Sequence, residues 1–381
     1  MSVYLDNSAT APMSPAAVNA LCETARNVFG NPSSLHGLGL KAEHVLNDSR
    51  AAVARLIGAC ESSVDKEIIF TSGGTEANNL AVLGAAHAAR RRGSRIVTTM
   101  IEHSSVLESC RQLESEGFDV VYLKPDSKGH VSKQDLISTI DSDTILVSVM
   151  YVNNELGTIL PVESIKSIIK AKNSPALFHV DAVQALGKIP VKVQKLGCDL
   201  LSVSAHKIHG SKGCGALYIR KGVHIKPLFY GGEQEKKIRP GTEALPLIAS
   251  FAAAAGECTD ISAKAKKTAE LKALLLSEIS DLDDVTVNSP DDGSPYIVNI
   301  STSHINSETM IHYLESEDIY ISSGSACAKG KRSHVLLAAG LSVQQIDTAL
   351  RISFSDNSTA QEVIAFSQAL HKGVNALVRA Y

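Results

Sequence analysis

Leu200-Leu-Ser-Val-Ser-Ala-His-Lys-Ile-His-Gly210 opens as a short apolar run and ends on Ser204, His206 and Lys207, with Gly210 and Gly213 behind them. An apolar strand that stops at a polar cluster followed by glycines delivers side chains to the carboxyl edge of a sheet. In open α/β sheets that edge is where ligands bind. A lysine there, beside a serine and two histidines, is a candidate imine-forming nucleophile. Alone it reads as a solvated residue after a strand; the stretches upstream reverse that reading.

Phe178-His-Val-Asp-Ala-Val-Gln184 is another apolar strand, and it ends in a carboxylate. Pyridoxal chemistry needs an amine for the aldehyde and an anion against the pyridine nitrogen, whose protonation makes the ring an electron sink. Lys207 and Asp181 supply both. Further back, Ile68-Ile-Phe-Thr-Ser-Gly-Gly-Thr-Glu-Ala-Asn-Asn-Leu80 reads as a strand, a Gly-Gly turn and a helix start. Free N–H groups and the helix dipole at Gly74 form a phosphate cup, to which Thr75 adds a hydroxyl. The three elements in this order point to pyridoxal 5'-phosphate.

The chain has 381 residues, 44% of them hydrophobic, and a net charge of −3. That length suits one large unit or two closely packed domains. The near-neutral balance gives no reason to expect nucleic-acid or membrane-surface binding. No apolar run reaches the length of a membrane span, and Met1-Ser-Val-Tyr-Leu-Asp-Asn7 has no basic-then-apolar signal pattern, so a cytoplasmic protein is expected. Seven cysteines form no Cys-x-x-Cys pair, and the histidines show no His-Glu-x-x-His spacing; neither a metal site nor a disulfide framework is expected.

Strands recur between residues 67 and 219, most of them separated by helical stretches such as 76–91, 105–116 and 162–172. Their near-continuous Val/Ile/Leu content predicts an α/β fold with a mostly parallel sheet covered on both faces. From about residue 244 the pattern changes to one long helical run, 244–279, followed by shorter strands at 297–301, 319–322 and 350–354. This predicts a smaller α+β domain. The expected division is a large cofactor-binding domain over 14–256 and a small domain made of 1–13 and 257–381.

With these elements in place, the chain resembles the cysteine desulfurases, class V aminotransferase-type enzymes of the fold-type I pyridoxal-phosphate group. The resemblance runs from end to end. It rests on Tyr4-Leu-Asp-Asn-Ser-Ala-Thr10, Gly30-Asn-Pro-Ser-Ser-Leu-His36, Thr71-Ser-Gly-Gly-Thr-Glu-Ala-Asn-Asn79, Glu102-His103 and Val152-Asn-Asn-Glu155. It continues through His179-Val-Asp181, Ser204-Ala-His-Lys207, Arg239-Pro-Gly-Thr242 and Ser322-Ser-Gly-Ser-Ala-Cys327. It implies that Lys207 carries the cofactor as an imine and that Asp181 pairs with the pyridine nitrogen. His103 stacks on the ring, while Gln184 and Asn154 address its phenolic oxygen side. Thr75, Ser204 and His206 hold the phosphate, with Thr242 reaching it from the other subunit of a homodimer. Arg351, flanked by Leu350 and Ile352, reads by itself as a structural ion pair. The resemblance makes it, with Asn154, the holder of the substrate α-carboxylate, a task that guanidinium geometry suits.

Cys327 decides which reaction is run. It precedes the cationic turn Ala328-Lys-Gly-Lys-Arg332, a setting that can lower a thiol pKa. The resemblance implies that Cys327 attacks the sulfur of L-cysteine, giving L-alanine and a persulfide for a sulfur-acceptor or scaffold protein in iron–sulfur or thiolation pathways. Lys207 and His103 are available to shuttle protons. A class V aminotransferase or a selenocysteine lyase would use the same fold and lysine without needing Cys327. The turn after Cys327 is a couple of residues shorter than in long-loop desulfurases.

Overall fold

The computed structural model describes residues 2–59, 67–323, 332–378 and 380. Its central sheet has seven strands. These are β2 (Ile68–Thr71), β3 (Arg95–Thr99), β4 (Asp119–Leu123), β5 (Thr144–Met150), β6 (Leu177–Asp181), β7 (Leu200–Ser204) and β8 (Gly215–Ile219), in the order β2-β8-β7-β6-β5-β3-β4. Only β8 runs against its neighbours β2 and β7; every other pairing is parallel. Six carboxyl ends therefore lie along one edge. Helices such as Gly74–Ala89, Ser104–Ser115 and Val162–Ala171 connect the strands. β2, β5, β7 and β8 are buried along their whole length, which explains why they read as unbroken apolar runs.

One polar rung crosses this interior. His179 in β6 hydrogen-bonds Ser148 Oγ of β5 at 2.8 Å and Ser202 Oγ of β7 at 2.9 Å. Burial pushes the imidazole pKa down to about 3, so the ring is neutral and both nitrogens are used. The rung ties together the strands that end at Met150, Asp181 and Ser204.

A second set of strands lies towards the C-terminus. β9 (Thr286–Val287), β10 (Ile297–Ser301) and β12 (Ala349–Ser353) form an antiparallel sheet ordered β12-β10-β9. β1 (Val3–Tyr4) pairs in parallel with β11 (Ile319–Tyr320). The N-terminal residues thus join the C-terminal strands, and Val3 and Leu5 enter a hydrophobic cluster with Leu275, Ile300, Ile352 and Phe366.

Most elements match the sequence reading to within two residues at each end. The expected 244–279 helix differs: it is two helices, Leu245–Glu257 and Ile261–Glu278. Asp260 between them adopts φ 49°, a left-handed conformation that no continuous helix accommodates. Gly256 and Thr259-Asp260 mark the break in the sequence, a stop-type glycine followed by N-cap residue types, inside a run whose Ala/Leu/Lys-rich flanks read as continuous. The C-terminal helix spans Ala360–Ala376.

Candidate active site

The aligned carboxyl ends set out the site. Beyond β2, the chain turns at Gly73 and starts the Gly74–Ala89 helix with no side-chain cap on its first N–H groups. A Cβ on Gly74 would lie 2.7 Å from Val183 Cγ2, so glycine lets the helix start close against the turn after β6. Beyond β3, His103 caps the Ser104–Ser115 helix. β6 ends on Asp181, and β7 ends on Ser204, followed by a single 3₁₀ turn, Ala205–Lys207. The outcome is a cavity of about 380 Å³. Gly74, Thr75, His103, Asn154, Asp181, Gln184, Ser204, His206, Lys207 and Arg351 all line it.

Asp181 is 5% exposed and held from two sides. Its Oδ1 accepts from Val183 N at 3.0 Å, and its Oδ2 accepts from Asn78 Nδ2 at 2.7 Å. Asn78 Nδ2 also donates to Ser105 Oγ at 2.9 Å, and that hydroxyl lies 2.8 Å from His103 Nδ1. Asn78 and Ser105 therefore bridge the predicted anion and the predicted stacking ring. Because His103 Nδ1 also accepts from the main-chain N–H of Ser105 at 3.2 Å, the neutral ring carries its proton on Nε2. Burial, and then the Lys207 cation, lower the His103 pKa, with Asp181 opposing.

Lys207 Nζ donates to the main-chain oxygens of Ser8 and, at 2.7 Å, Ala9. Gln184 Nε2 donates to the same Ser8 oxygen at 2.9 Å. The N-terminal segment thus reaches the centre of the site. His206 hydrogen-bonds Thr10 Oγ1 at 3.2 Å, and burial lowers its pKa to about 4.

Arg351 comes from the middle of β12 and is 2% exposed. Its Nη2 pairs with Asp6 Oδ1 at 2.7 Å, and its Nη1 donates to the main-chain oxygen of Asn154 at 3.0 Å. The ion-pair reading of this residue and its place in the cleft hold together. Asn154 contributes its backbone here.

The cavity suits pyridoxal phosphate on its own chemistry. Ser204 Oγ is buried beside the helix start and has no hydrogen-bond partner among the described residues. A buried hydroxyl next to uncapped helix N–H groups is matched to an anion such as phosphate. The same cavity presents a buried carboxylate, Asp181, and an amine, Lys207, the group types that a pyridinium nitrogen and an aldehyde would pair with.

One predicted residue is not brought into this cavity within the chain. Thr242 is exposed and lines a separate surface hollow with Tyr230 and Arg239. Cys327, Lys329 and Lys331 lie outside the described residues. Arg332, the third cation of that turn, makes a two-point pair with Asp347 at 2.7 and 2.8 Å.

Several site residues escaped the sequence reading. Ser8 and Ala9 act through backbone oxygens, which no side-chain pattern reveals. Asn78, one helical turn after Thr75, was legible as sharing that residue's face. Glu155 and His334 also line the cleft. His334 Nε2 donates to the main-chain oxygen of Glu102 at 2.9 Å, and buried Glu155 accepts from Ser333 Oγ at 2.5 Å. Burial raises the Glu155 pKa.

The family described as Aminotransferase class-V matches residues 3–366. The cysteine desulfurase IscS of Methanosarcina thermophila is 42% identical over 366 residues, covering 95% of this chain and 89% of that protein. The putative cysteine desulfurase IscS 1 of Bacillus subtilis (strain 168) is 41% identical and covers 95% of each. Among solved structures, a NifS-like protein superimposes with a TM-score of 0.93 at 38% identity, over 99% of this chain and 100% of that one. A structure described as SspA in complex with cysteine gives 0.81 at 33% identity, over 94% of this chain and 100% of that one. The chain belongs to the aminotransferase class-V family, in its cysteine desulfurase branch.

Proposed function

We propose that this protein takes sulfur from L-cysteine, releases L-alanine and holds the sulfur as a persulfide on Cys327 for an acceptor. The observation that carries this reading is the convergence of Lys207, Asp181 and His103 from one sheet with Arg351 from another on a single cavity. Enzymes of this family depend on pyridoxal 5'-phosphate, which when bound supplies an aldehyde for amines and an electron sink. The residues suited to hold it are Gly74, Thr75, Ser204 and His206 at the phosphate, Asp181 at the ring nitrogen and Gln184 at the ring oxygen.

The chain's own groups account for the remaining tasks. Arg351, already oriented by Asp6 and the Asn154 oxygen, is set to bind a carboxylate. Lys207 Nζ rests on two carbonyls and can hold or release a proton at the centre of the cleft. His103 holds a proton on Nε2. Cys327 Sγ forms the new S–S bond as the substrate's C–S bond breaks, and the former substrate carbon takes up a proton. In a Cys327→Ser variant, cofactor and cysteine should still bind while alanine and sulfide production disappear. Undiminished sulfide release would favour a lyase that works without a protein thiol.

The same reading extends to assembly. Phe229 and Tyr230 are 54% and 87% exposed near Thr242, which supports a homodimer in which Thr242 serves the partner's phosphate. The division into a 14–256 domain and a 1–13 plus 257–381 domain is supported by a hydrophobic cluster lying wholly in the second and another wholly in the first, while the largest cluster also takes in residues from 296–349 such as Tyr296, Val335 and Leu336. Among the described residues no helix is long and apolar enough to cross a membrane, and the cytoplasm is the proposed location.

A further inference from the structure

Lys188 is a buried cation that the chemistry above leaves unused. It follows Gln184-Ala-Leu-Gly187 in the turn after β6 and is 6% exposed. Its Nζ donates to Gln184 Oε1 at 3.1 Å, its hydrogen-bond acceptor among the described residues. The other end of that amide donates from Nε2 to Ser8 O at 2.9 Å. A main-chain carbonyl only accepts, so the amide orientation is determined: nitrogen towards Ser8, oxygen towards Lys188. One of the two N–H groups on Nε2 serves Ser8, and the second is left for a ligand in the cleft that Gln184 lines.

Lys188 also stands behind Lys207. The two lysines line one small cavity with Gly187, Tyr296 and Asp356. Lys188 Nζ is 5.9 Å from the centroid of the Tyr296 ring, and the Tyr296 hydroxyl donates to Asp356 Oδ1 at 3.1 Å. Burial, then the Lys207 and Arg351 cations, push the Lys188 pKa down to about 7, against the opposing pull of Asp356. Lys188 in turn helps to lower the pKa of His206. A buried ammonium whose main partner is a neutral amide is a costly structural element, and a methionine of similar length would be cheaper to bury. Its placement therefore calls for a use.

We infer that Lys188 is a positioning residue for the cofactor: it pins Gln184 with an N–H presented to the ring oxygen, and it sets a positive charge behind the Lys207 nitrogen. The inference rests on the function proposed above. Both effects act in one direction. A donor at the ring oxygen favours its anionic form, and a nearby cation disfavours an added proton on the Lys207 nitrogen, as it does for other amines set beside a cation. Together they lower the pH at which the bound cofactor takes up a proton, the charge acting to the extent that Lys188, pushed down to about 7, is itself protonated.

The test is a pH titration of the visible band of the purified holoenzyme, with cofactor affinity and thermal melting measured alongside. In Lys188→Met the band's midpoint should rise by about one unit or more. Cofactor affinity should fall several-fold, and the melting temperature should hold or rise. Lys188→Arg, which keeps charge and donor, should titrate close to wild type. Lys188→Gln keeps a donor without the charge and should fall between, and it also serves if the methionine variant does not fold. A wild-type midpoint in Lys188→Met, or an arginine variant displaced as far as the methionine one, overturns the inference. A wild-type protein with no visible band on adding pyridoxal phosphate would instead remove the functional reading, and the inference with it.

Discussion

In the seven-stranded sheet the site residues stand at or just beyond strand ends, whereas Arg351 sits mid-strand in the three-stranded sheet, opposite Asn299 of β10. The two placements impose different constraints. At a strand end the backbone is leaving the ladder, so helix caps and side-chain bridges such as Asn78 to Asp181 must fix the geometry. In mid-strand the register fixes it, and a one-residue slip would turn Arg351 away from the cleft. Small adjustments at strand ends can retune cofactor chemistry, while the proposed substrate clamp is committed by the pairing of β10 with β12.

The sharpest way to break this comparison is to remove one key residue from each side. Lys207→Ala should lose turnover by a factor on the order of 10³ or more and should lose the borohydride-trappable cofactor attachment. Arg351→Ala should keep the cofactor's visible spectrum while kcat/KM for L-cysteine falls about 10²- to 10³-fold, mainly through KM. Loss of the cofactor spectrum in the arginine variant would show that the two sheets do not divide the work in this way.

Within the strand-end group, Ser204→Ala removes a buried hydroxyl that lacks a hydrogen-bond partner among the described residues. Cofactor affinity, measured by dialysis and reconstitution, should weaken about fivefold to tenfold, the scale of one hydrogen bond to a charged group. Because no protein hydrogen bond is lost, the apoprotein should melt at a nearly unchanged temperature. A fall in apoprotein stability without any change in affinity would argue that Ser204 is a packing residue.

The remaining test concerns pH-dependent stability and leaves turnover aside. Glu102, fully buried with Oε1 accepting from Thr99 Oγ1 at 2.7 Å and Met150 N at 3.0 Å, has its pKa raised to about 8 by burial. A raised folded pKa means that folding favours the protonated acid. Its contribution is best below about pH 4.5 and declines as pH climbs towards 8. His179 and His206, depressed to about 3 and 4, work the other way: their contribution is complete above about pH 6.5 and is lost as pH falls. Glu102→Gln should therefore melt higher than wild type at pH 8, with the advantage shrinking to nothing near pH 4.5. A constant difference across that range would show that the carboxyl is charged in the folded protein throughout.

Much of this site could be read before any coordinates. Near-continuous Val/Ile/Leu runs broken by polar clusters located β6 and β7, and the Gly-Gly turn located the phosphate cup, because strand burial and helix initiation are local properties of the chain. Asp181, Lys207 and the uncapped helix start followed from those elements. Tertiary structure alone decided the rest. The Asn78–Ser105 bridge, the Ser8 and Ala9 carbonyls under Lys207, and the Asp6 partner of Arg351 join residues separated by tens to hundreds of positions. A polar side chain carries no mark of the partner that will satisfy it when buried, and backbone oxygens carry no mark at all. The surface position of Thr242 and the seating of Lys188 behind Lys207 belong to the same class, settled by how distant elements close around one another.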